Sequence, residues 1–533
     1  MTDFQVDSNR QLRYMVYGLL LATSIGMMIG RVLTVRSSLG ETPLLSANDR
    51  SRWCTVRALV DHGTYVIDDV IFLDAKQTKR DREWYPIDMV RHRGTDGREH
   101  YYSSKPPLLA TLLAGPYWVL KRITGATMAE RPFYVIRALL LLVNVVPLAV
   151  YFWLLVRMVE RYGATDWGRL FVIGAAVYGT FLTTLAVTLN NHTVAAVSVA
   201  IAVYAALPIW RDGERRLRYF ALAGCFAAFA AANELPALSF LGLLGLGLLY
   251  RAPGRTLAAF APAVLVVAAG FFGTNFLAHD SLRPPYAHRG NGTQLASIDG
   301  EYGSELATGQ IPDSIRDGLR RSGIELSDQA TVEPRMSGTG WMIWDPIGEQ
   351  RLAVATGGGV SRVYAWDQWY EYERSYWFSD KKSRVDMGEP SRAVYAMHVL
   401  FGHHGILSLT PIWLLSILGI AIWLMRGQQN MRGYASMVVI LTLLCLAFYI
   451  ARPLKDRNYG GVNCGFRWMF WFIPLWLVAL LPALDGIAHH RWARRVAHVL
   501  LLLSCVSATY ACLNPWSHPW LYRYWLFIGW AQP

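Results

Sequence analysis

The stretch SANDRSRW, residues 46–53, places one acid, Asp49, ahead of two arginines, Arg50 and Arg52. Two chemistries suit it. Ser46-x-x-Asp49 has the spacing of a capping box, in which a hydroxyl and an acid three residues on satisfy free backbone N–H groups at a helix start. Trp53, Val56 and Val60 would then form an apolar stripe at i, i+3 and i+7, and Gly63 would end the helix. On that reading Arg50 and Arg52 face lipid phosphates or water. On the other, Asp49 takes a proton from a substrate. A second stretch, YYSSKPPLLATLL, residues 101–113, carries a single lysine. With Ser103 or Ser104 as cap and Pro106 in the first turn, Lys105 would sit beside free N–H groups at the positive end of a helix dipole, a place that binds anions. The plainer alternative is that Lys105 snorkels to ordinary headgroups.

Other polar groups stand at the ends of apolar runs: Asn190, Asn191, His192, Asn233, Glu234, the pair His403-His404, and Arg467 in NYGGVNCGFRW. Ionisable groups at membrane depth are costly and tend to face cavities or partners. Arg52, Asn191, His192, Asn233, Glu234, His403 and His404 are therefore candidates for lining a cavity. A structural partnership, or an exposed turn beside Pro236, competes for Glu234, and bonds to backbone groups compete for the histidines. A zinc site would need further ligands, so no metal is expected. The chain has no CxxC, HExxH, Walker or GxGxxG motif, so a nucleotide-driven pump has no visible engine. Gly357-Gly358-Gly359 lacks a following Lys-Ser/Thr and reads as a flexible turn.

The elements that must hold these groups are membrane helices. Of 533 residues, 53% are hydrophobic and 17% charged, far from a soluble average. The apolar residues gather into runs long enough to cross about 30 Å of hydrocarbon. These runs are 14–35, 133–157, 169–188, 193–210, 219–233, 236–250, 257–277, 398–425, 434–451, 467–485 and 496–512. The alternation that a barrel needs is absent. The expectation is an all-α polytopic membrane protein with about 11 transmembrane helices, its first run a retained anchor.

A net charge of +13 would suggest nucleic acid in a soluble chain. Here the arginines fall in short segments after alternate spans: Arg10 and Arg13; Arg157, Arg161 and Arg169; Arg211, Arg215, Arg216 and Arg218; Arg251 and Arg255; Arg426 and Arg432; Arg491, Arg494 and Arg495. The positive-inside rule makes these segments and the N-terminus cytoplasmic. The expected partners are membrane lipids, not nucleic acid. The run 106–120 would reverse this pattern if it spanned. It is short and holds Gly115-Pro116, so it is expected to lie in or re-enter the interface.

That leaves three parts: 1–277, a transmembrane module with a first external loop at 36–132; 278–395, a large external loop; and 396–533, a C-terminal transmembrane module. The large loop has a polar, Gly-rich part, expected as a small lid or as a segment ordering with substrate. Its aromatic part, YAWDQWYEYERSYWF (364–378), suits either sugar faces or a membrane-interface belt. Cys54 and Cys464 both fall near the outer side, and spacing alone does not decide whether they pair. Two sequons, at Asn191 and Asn291, matter only in a glycosylating compartment.

An acid soon after the first span, a Lys-Pro-Pro-Leu turn and an interfacial helix in the first external loop resemble the GT-C superfamily of integral membrane glycosyltransferases, in its protein O-mannosyltransferase and lipid A aminoarabinose transferase branch. NYGGVNCGFRW resembles the Gly-Gly followed by Gly-x-Arg of related bacterial transferases. The resemblance implies GT-C-like interfacial helices in 36–132 and a sugar taken from a polyprenyl-phosphate carrier at the outer face, in a bacterial inner or plasma membrane. Asp49 would then be the base, and Lys105 and Arg467 would hold the carrier phosphate. No cofactor is implied beyond the lipid-linked donor, transfer would be inverting, and the acceptor could be protein, lipid or glycan. The branch often has Asp-Glu where this chain has Asp49-Arg50. A transporter or lipid flippase is the contrasting class; it should show inverted repeats and helices broken near the midplane, and the sequence shows no repeat. A membrane scaffold would not need Asp49 and Lys105 near one cavity.

Overall fold

Apolar runs with no water to bond must satisfy their backbone internally, and here they do so as helices. A computed structural model describes residues 3–378, 382, 384–426 and 429–531. In chain order come α1 (Ser8–Thr34), α2 (Ala47–Asp61), β1 (Met89–Arg93), β2 (Glu99–Ser103), α3 (Leu108–Thr124), α4 (Pro132–Tyr162), α5 (Asp166–Val187), α6 (Asn191–Asp212), α7 (Leu217–Asn233), α8 (Leu235–Arg251) and α9 (Pro253–His279). Then follow β3 (Arg289–Asp299), α10 (Asp313–Arg321), β4 (Thr331–Pro334), β5 (Trp341–Asp345), β6 (Gln350–Gly357), β7 (Val360–Gln368), α11 (Arg392–Leu400), α12 (Trp413–Arg426), α13 (Met431–Ala451), α14 (Arg467–Ile487) and α15 (Arg491–Leu513).

The chain is a polytopic helical membrane protein. Among the described residues, α1, α4, α5, α6, α9, α13, α14 and α15 are the eight helices long and apolar enough to cross a membrane, and α7, α8 and α12 are shorter apolar helices. Length and composition thus qualify eight helices for a full crossing, against the eleven expected. The run 398–425 is broken: residues 401–412 turn around Gly402, Gly405 and Pro411, with one helical turn at Ile406–Leu409, before α12 begins. The run 106–120 lies in α3, which carries Pro116 and is not among the qualifying helices.

The chain folds as two compact units, one of residues 1–49, 112–271 and 383–533, the other of 50–111 and 272–382. In the first, α6 is central: its side chains from His192 to Ile209 are buried almost throughout, as in a helix that is apolar on all sides. Ion pairs collect the arginine-bearing helix ends. Arg13 binds Glu160 (2.6 Å) and Asp166 (2.8 Å), joining the start of α1 to the end of α4 and the start of α5, and Arg161 binds Asp212 (2.7 Å) at the end of α6. This is the grouping that the alternation of basic segments requires.

The second unit contains strands, which the all-α expectation did not include. β1 and β2 pair antiparallel, from Met89 opposite Ser103 to Arg93 opposite Glu99. The polar part of 278–395, expected as a lid or a segment ordering with substrate, is a five-stranded antiparallel sheet of order β3-β7-β6-β5-β4. It has its own core, in which Ile315 and Leu319 of α10 meet Ile298, Ile343, Leu352 and Val363. Gly318 permits that approach: a Cβ there would lie 2.7 Å from the Ile298 side chain. Gly358 and Gly359, both with positive φ, make the β6–β7 hairpin turn. In the aromatic run, Trp369, Tyr370 and Tyr372 are buried. The indole of Trp369 is stacked on by His288 (3.5 Å) and His92 (4.0 Å), so for these residues the belt gives way to a core.

Candidate functional site

Asp49 is buried in the first turn of α2, and the capping box forms as its spacing requires. Asp49 Oδ1 accepts from the Ser46 N–H (2.7 Å) and the Ser46 hydroxyl (2.8 Å), Oδ2 accepts from the Leu45 N–H (3.2 Å), and the Asp49 N–H donates back to Ser46 Oγ (3.4 Å). These donors are neutral and belong to the acid's own turn. The expected α2 stripe is only partly met: Trp53 and Val56 are buried and Val60 half-buried, but Ser51 to Val56 are buried on every side; α2 ends before Gly63, whose φ of +72° suits only glycine well. Arg52 is buried on α2, and Arg50 donates to the Tyr85 carbonyl (3.3 Å).

Lys105 departs from its expected setting. It lies in the turn between β2 and α3, ahead of the helix rather than in its first turn, and its N–H donates to Ser103 Oγ (3.2 Å). Its ammonium binds Asp88 Oδ2 at 2.9 Å, a charge-assisted contact with a buried acid. Asp88 is fixed through its carbonyl, which accepts from the Ser104 N–H (3.2 Å) and the Ser51 hydroxyl; Ser51 and Ser103 hydroxyls bond at 2.7 Å. Tyr370 completes the group. Its side chain hydrogen-bonds Ser104 and Arg289, and the Arg289 guanidinium lies 4.3 Å from the Tyr370 ring centre. Burial raises the Tyr370 pKa, keeping the phenol protonated and able to donate. Asp88, Ser104, Arg289 and Tyr370 were not legible as partners of Lys105, because strand pairing and the fold of 272–382 bring them there.

Arg467 opens α14, with its guanidinium 4.7 Å from the Trp516 ring centre. The glycines of NYGGVNCGFRW are explained locally. Gly460 and Gly461 have φ of +93° and +77°, and a Cβ at Gly460 would lie 2.5 Å from Arg467 Nε. Asn463 ties this loop, donating to the Tyr459 and Gly461 carbonyls (both 2.9 Å).

Glu234, Asn233, Asn191 and His192 do come together. Asn191 donates to Glu234 Oε1 (2.5 Å) and the Asn233 carbonyl (3.0 Å), and His192 Nδ1 binds the same Glu234 oxygen. The buried acid between α7 and α8 thereby clasps the start of α6, where Asn190 caps by accepting from the Thr193 N–H (2.7 Å). His403 and His404 contact each other through Nδ1 atoms at 2.5 Å, which requires one to donate and the other to accept. His398 stacks on His403 (4.0 Å) and Tyr459 on His404 (4.2 Å). Among the described residues no three His, Cys, Asp or Glu side chains are grouped to hold a metal ion. No disulfide joins any of the six cysteines; Cys54 Sγ faces the Trp84 carbonyl (3.2 Å) and Cys464 Sγ lies 4.0 Å from Thr184 Oγ1, so they do not pair.

One further constellation has the order of a hydrolytic triad. Ser281 Oγ lies 3.3 Å from His288 Nε2, and His288 Nδ1 binds Asp367. It is closed on itself: the Arg283 N–H occupies Ser281 Oγ (3.1 Å), its carbonyl faces His288 Nε2 (3.4 Å), and its guanidinium holds Asp367 (3.1 Å). That is the wiring of a locked turn rather than of an activated nucleophile.

No family model matches this sequence, and no curated protein matches it. Among solved structures the chain is similar to the S. cerevisiae protein O-mannosyltransferase Pmt1–Pmt2 complex bound to the sugar donor, at 12% identity over 97% of this chain and 92% of that one, with a TM-score of 0.44. It is also similar to the Archaeoglobus fulgidus oligosaccharyltransferase in its apo form (12% identity, TM-score 0.41) and to AglB from that organism in complex with an inhibitory peptide and a dolichol-phosphate (10% identity, TM-score 0.42). Each archaeal match covers 94% of this chain but 56% of the archaeal one. Likeness of this degree assigns neither donor, acceptor nor site residues.

Proposed function

We propose that this chain is a membrane glycosyltransferase that takes a sugar from a polyprenyl-phosphate carrier. The observation that carries the reading is the group around Lys105, in which an ammonium, a guanidinium from Arg289 and the hydroxyls of Ser104 and Tyr370 are gathered with one acid, Asp88. Two cations and two hydroxyl donors match the demands of a phosphate, and Asp88 serves as the counter-ion that the phosphate replaces. Asp49 removes the proton from the acceptor hydroxyl or amine. That oxygen or nitrogen then bonds to the anomeric carbon as the bond from carbon to phosphate oxygen breaks, with inversion.

The test is to incubate the purified protein with a panel of polyprenyl-phosphate sugars and membrane extracts and to follow products by mass spectrometry. The expected result is an acceptor heavier by one sugar, with free polyprenyl phosphate released in equal amount. Movement of intact lipid-linked sugar across proteoliposomes without such transfer would overturn the reading in favour of a flippase.

A further inference from the structure

The end of α6 away from Glu234 carries a different arrangement. Trp210 lies nineteen residues beyond Asn191, about 28 Å along the helix at 1.5 Å per residue. There α6, α8 and α13 leave a cavity of about 200 Å³ lined by Val203, Leu207, Leu244, Leu248 and Ile440. Glycines shape its end: a Cβ at Gly247 would lie 3.0 Å from the Trp210 ring, and one at Gly433 would overlap it. The indole is thus seated between α8 and α13. Its N–H is buried and has no hydrogen-bond partner among the described residues, a costly state for a donor.

Arginines frame the same end. Arg211 follows Trp210, Arg432 precedes Gly433, and Arg251 follows Leu248 by three residues and reaches the Trp210 carbonyl at 3.4 Å. The acids after α6 are engaged by other arginines, Asp212 by Arg161 at 2.7 Å and Glu214 by Arg216. The order from apolar groove to lone N–H donor to cations is the order of acyl chain, ester carbonyl and phosphate in a glycerophospholipid.

We infer that this groove holds one anionic glycerophospholipid of the surrounding bilayer, with an acyl chain along α6, an ester carbonyl on the Trp210 N–H and the headgroup at Arg211, Arg251 and Arg432. An isoprenoid phosphate has no ester carbonyl to meet the indole, and a zwitterionic headgroup gains less from the arginines. The inference stands independently of the proposed sugar transfer.

The full chain, purified in mild detergent, would be incubated with phosphatidylglycerol, with phosphatidylcholine of the same acyl chains, or with polyprenyl phosphate, and retained lipid counted by native mass spectrometry. The expected result is one phosphatidylglycerol retained at about a tenth of the concentration that phosphatidylcholine needs, since one such charge-assisted contact is worth about tenfold. Trp210→Phe keeps an aromatic ring at this position and removes the donor, and should weaken retention several-fold. The double variant Arg251→Gln, Arg432→Gln should erase the preference between headgroups. Equal retention of both phospholipids, wild-type retention by Trp210→Phe, or one-for-one displacement by polyprenyl phosphate would each overturn the assignment. Trp210→Phe and the lipid comparison decide the matter even if the double variant fails to fold.

Discussion

Two buried carboxylates, Asp49 and Glu234, invite comparison because each is an acid near the end of a helix. Asp49 is held by donors from its own turn, the Ser46 hydroxyl and the N–H groups of Leu45 and Ser46. Glu234 is held by side chains from another helix, Asn191 and His192 of α6. Those donors to Asp49 are local, so an amide can replace the acid and still accept most of these bonds. The Glu234 arrangement is a tertiary clasp, and removing its acceptor takes a partner from buried His192 and half-buried Asn191 at once. Burial alone therefore does not distinguish a working acid from a structural one. The origin of the donors says which acid can be changed chemically without disturbing the fold.

The largest expected effect uses that separation. Asp49→Asn should cost the α2 cap at most about 1 kcal/mol, through a weaker dipole interaction and cap. It cannot accept a proton, so transfer should fall by about 10² to 10⁴-fold, the usual scale of general-base catalysis. Transfer rate and melting temperature would be measured on the same purified protein. A well-folded variant with near-wild-type turnover would break the assignment and move the role to Glu234.

Glu234→Ala sharpens the other side. Leaving His192 and Asn191 without their shared acceptor should destabilise the membrane unit by about 3 kcal/mol, read as a lowered melting temperature, whether or not sugar is transferred. If Glu234→Ala kept its melting temperature but lost transfer, Glu234 would belong with the chemistry and the clasp would be incidental.

Asp88 is a third buried acid, also of the tertiary kind, and it makes Lys105 testable. Lys105→Ala should weaken use of the lipid-linked donor by about 1.5 to 3 kcal/mol, roughly 10- to 150-fold in kcat/KM. Normal donor dependence in this variant would remove Lys105 from the phosphate site and leave it as the structural partner of Asp88.

The same distinction between local and tertiary wiring explains what the sequence made legible. The spans could be read because each is a continuous apolar run, and the Ser46–Asp49 box because its spacing is short. The break at residues 401–412 was carried by Gly402, Gly405 and Pro411, but it lay inside a run whose average hydropathy hid it. The partners of Lys105 were invisible because Asp88, Arg289 and Tyr370 are distant in sequence and meet only through strand pairing and packing. The sheet of 289–368 was hidden because its core is shared with Ile315 and Leu319 of α10, so no strand shows a long apolar face of its own. The glycines before Arg467 show in the sequence only as a likeness; their reason, two positive φ angles and a guanidinium against Gly460, exists only in the folded loop.

The smallest expected effect tests whether the cap at Asp49 and its chemistry are one thing or two. Ser46→Ala removes the hydroxyl that donates to Asp49 Oδ1 and accepts from the Asp49 N–H, and it leaves the Ser46 and Leu45 N–H bonds to the carboxylate in place. Loss of one capping side chain costs about 1 kcal/mol, so the melting temperature should drop modestly. The carboxylate keeps the Leu45 and Ser46 N–H donors and its proton chemistry, so transfer should stay within a few-fold of wild type. Ser46→Ala and Asp49→Asn should therefore cost comparable stability and part company in transfer, which the first keeps and the second loses. If Ser46→Ala instead lost transfer as severely as Asp49→Asn, the acid would matter through the geometry of its turn, and Asp49 would rank with Glu234 as a structural carboxylate.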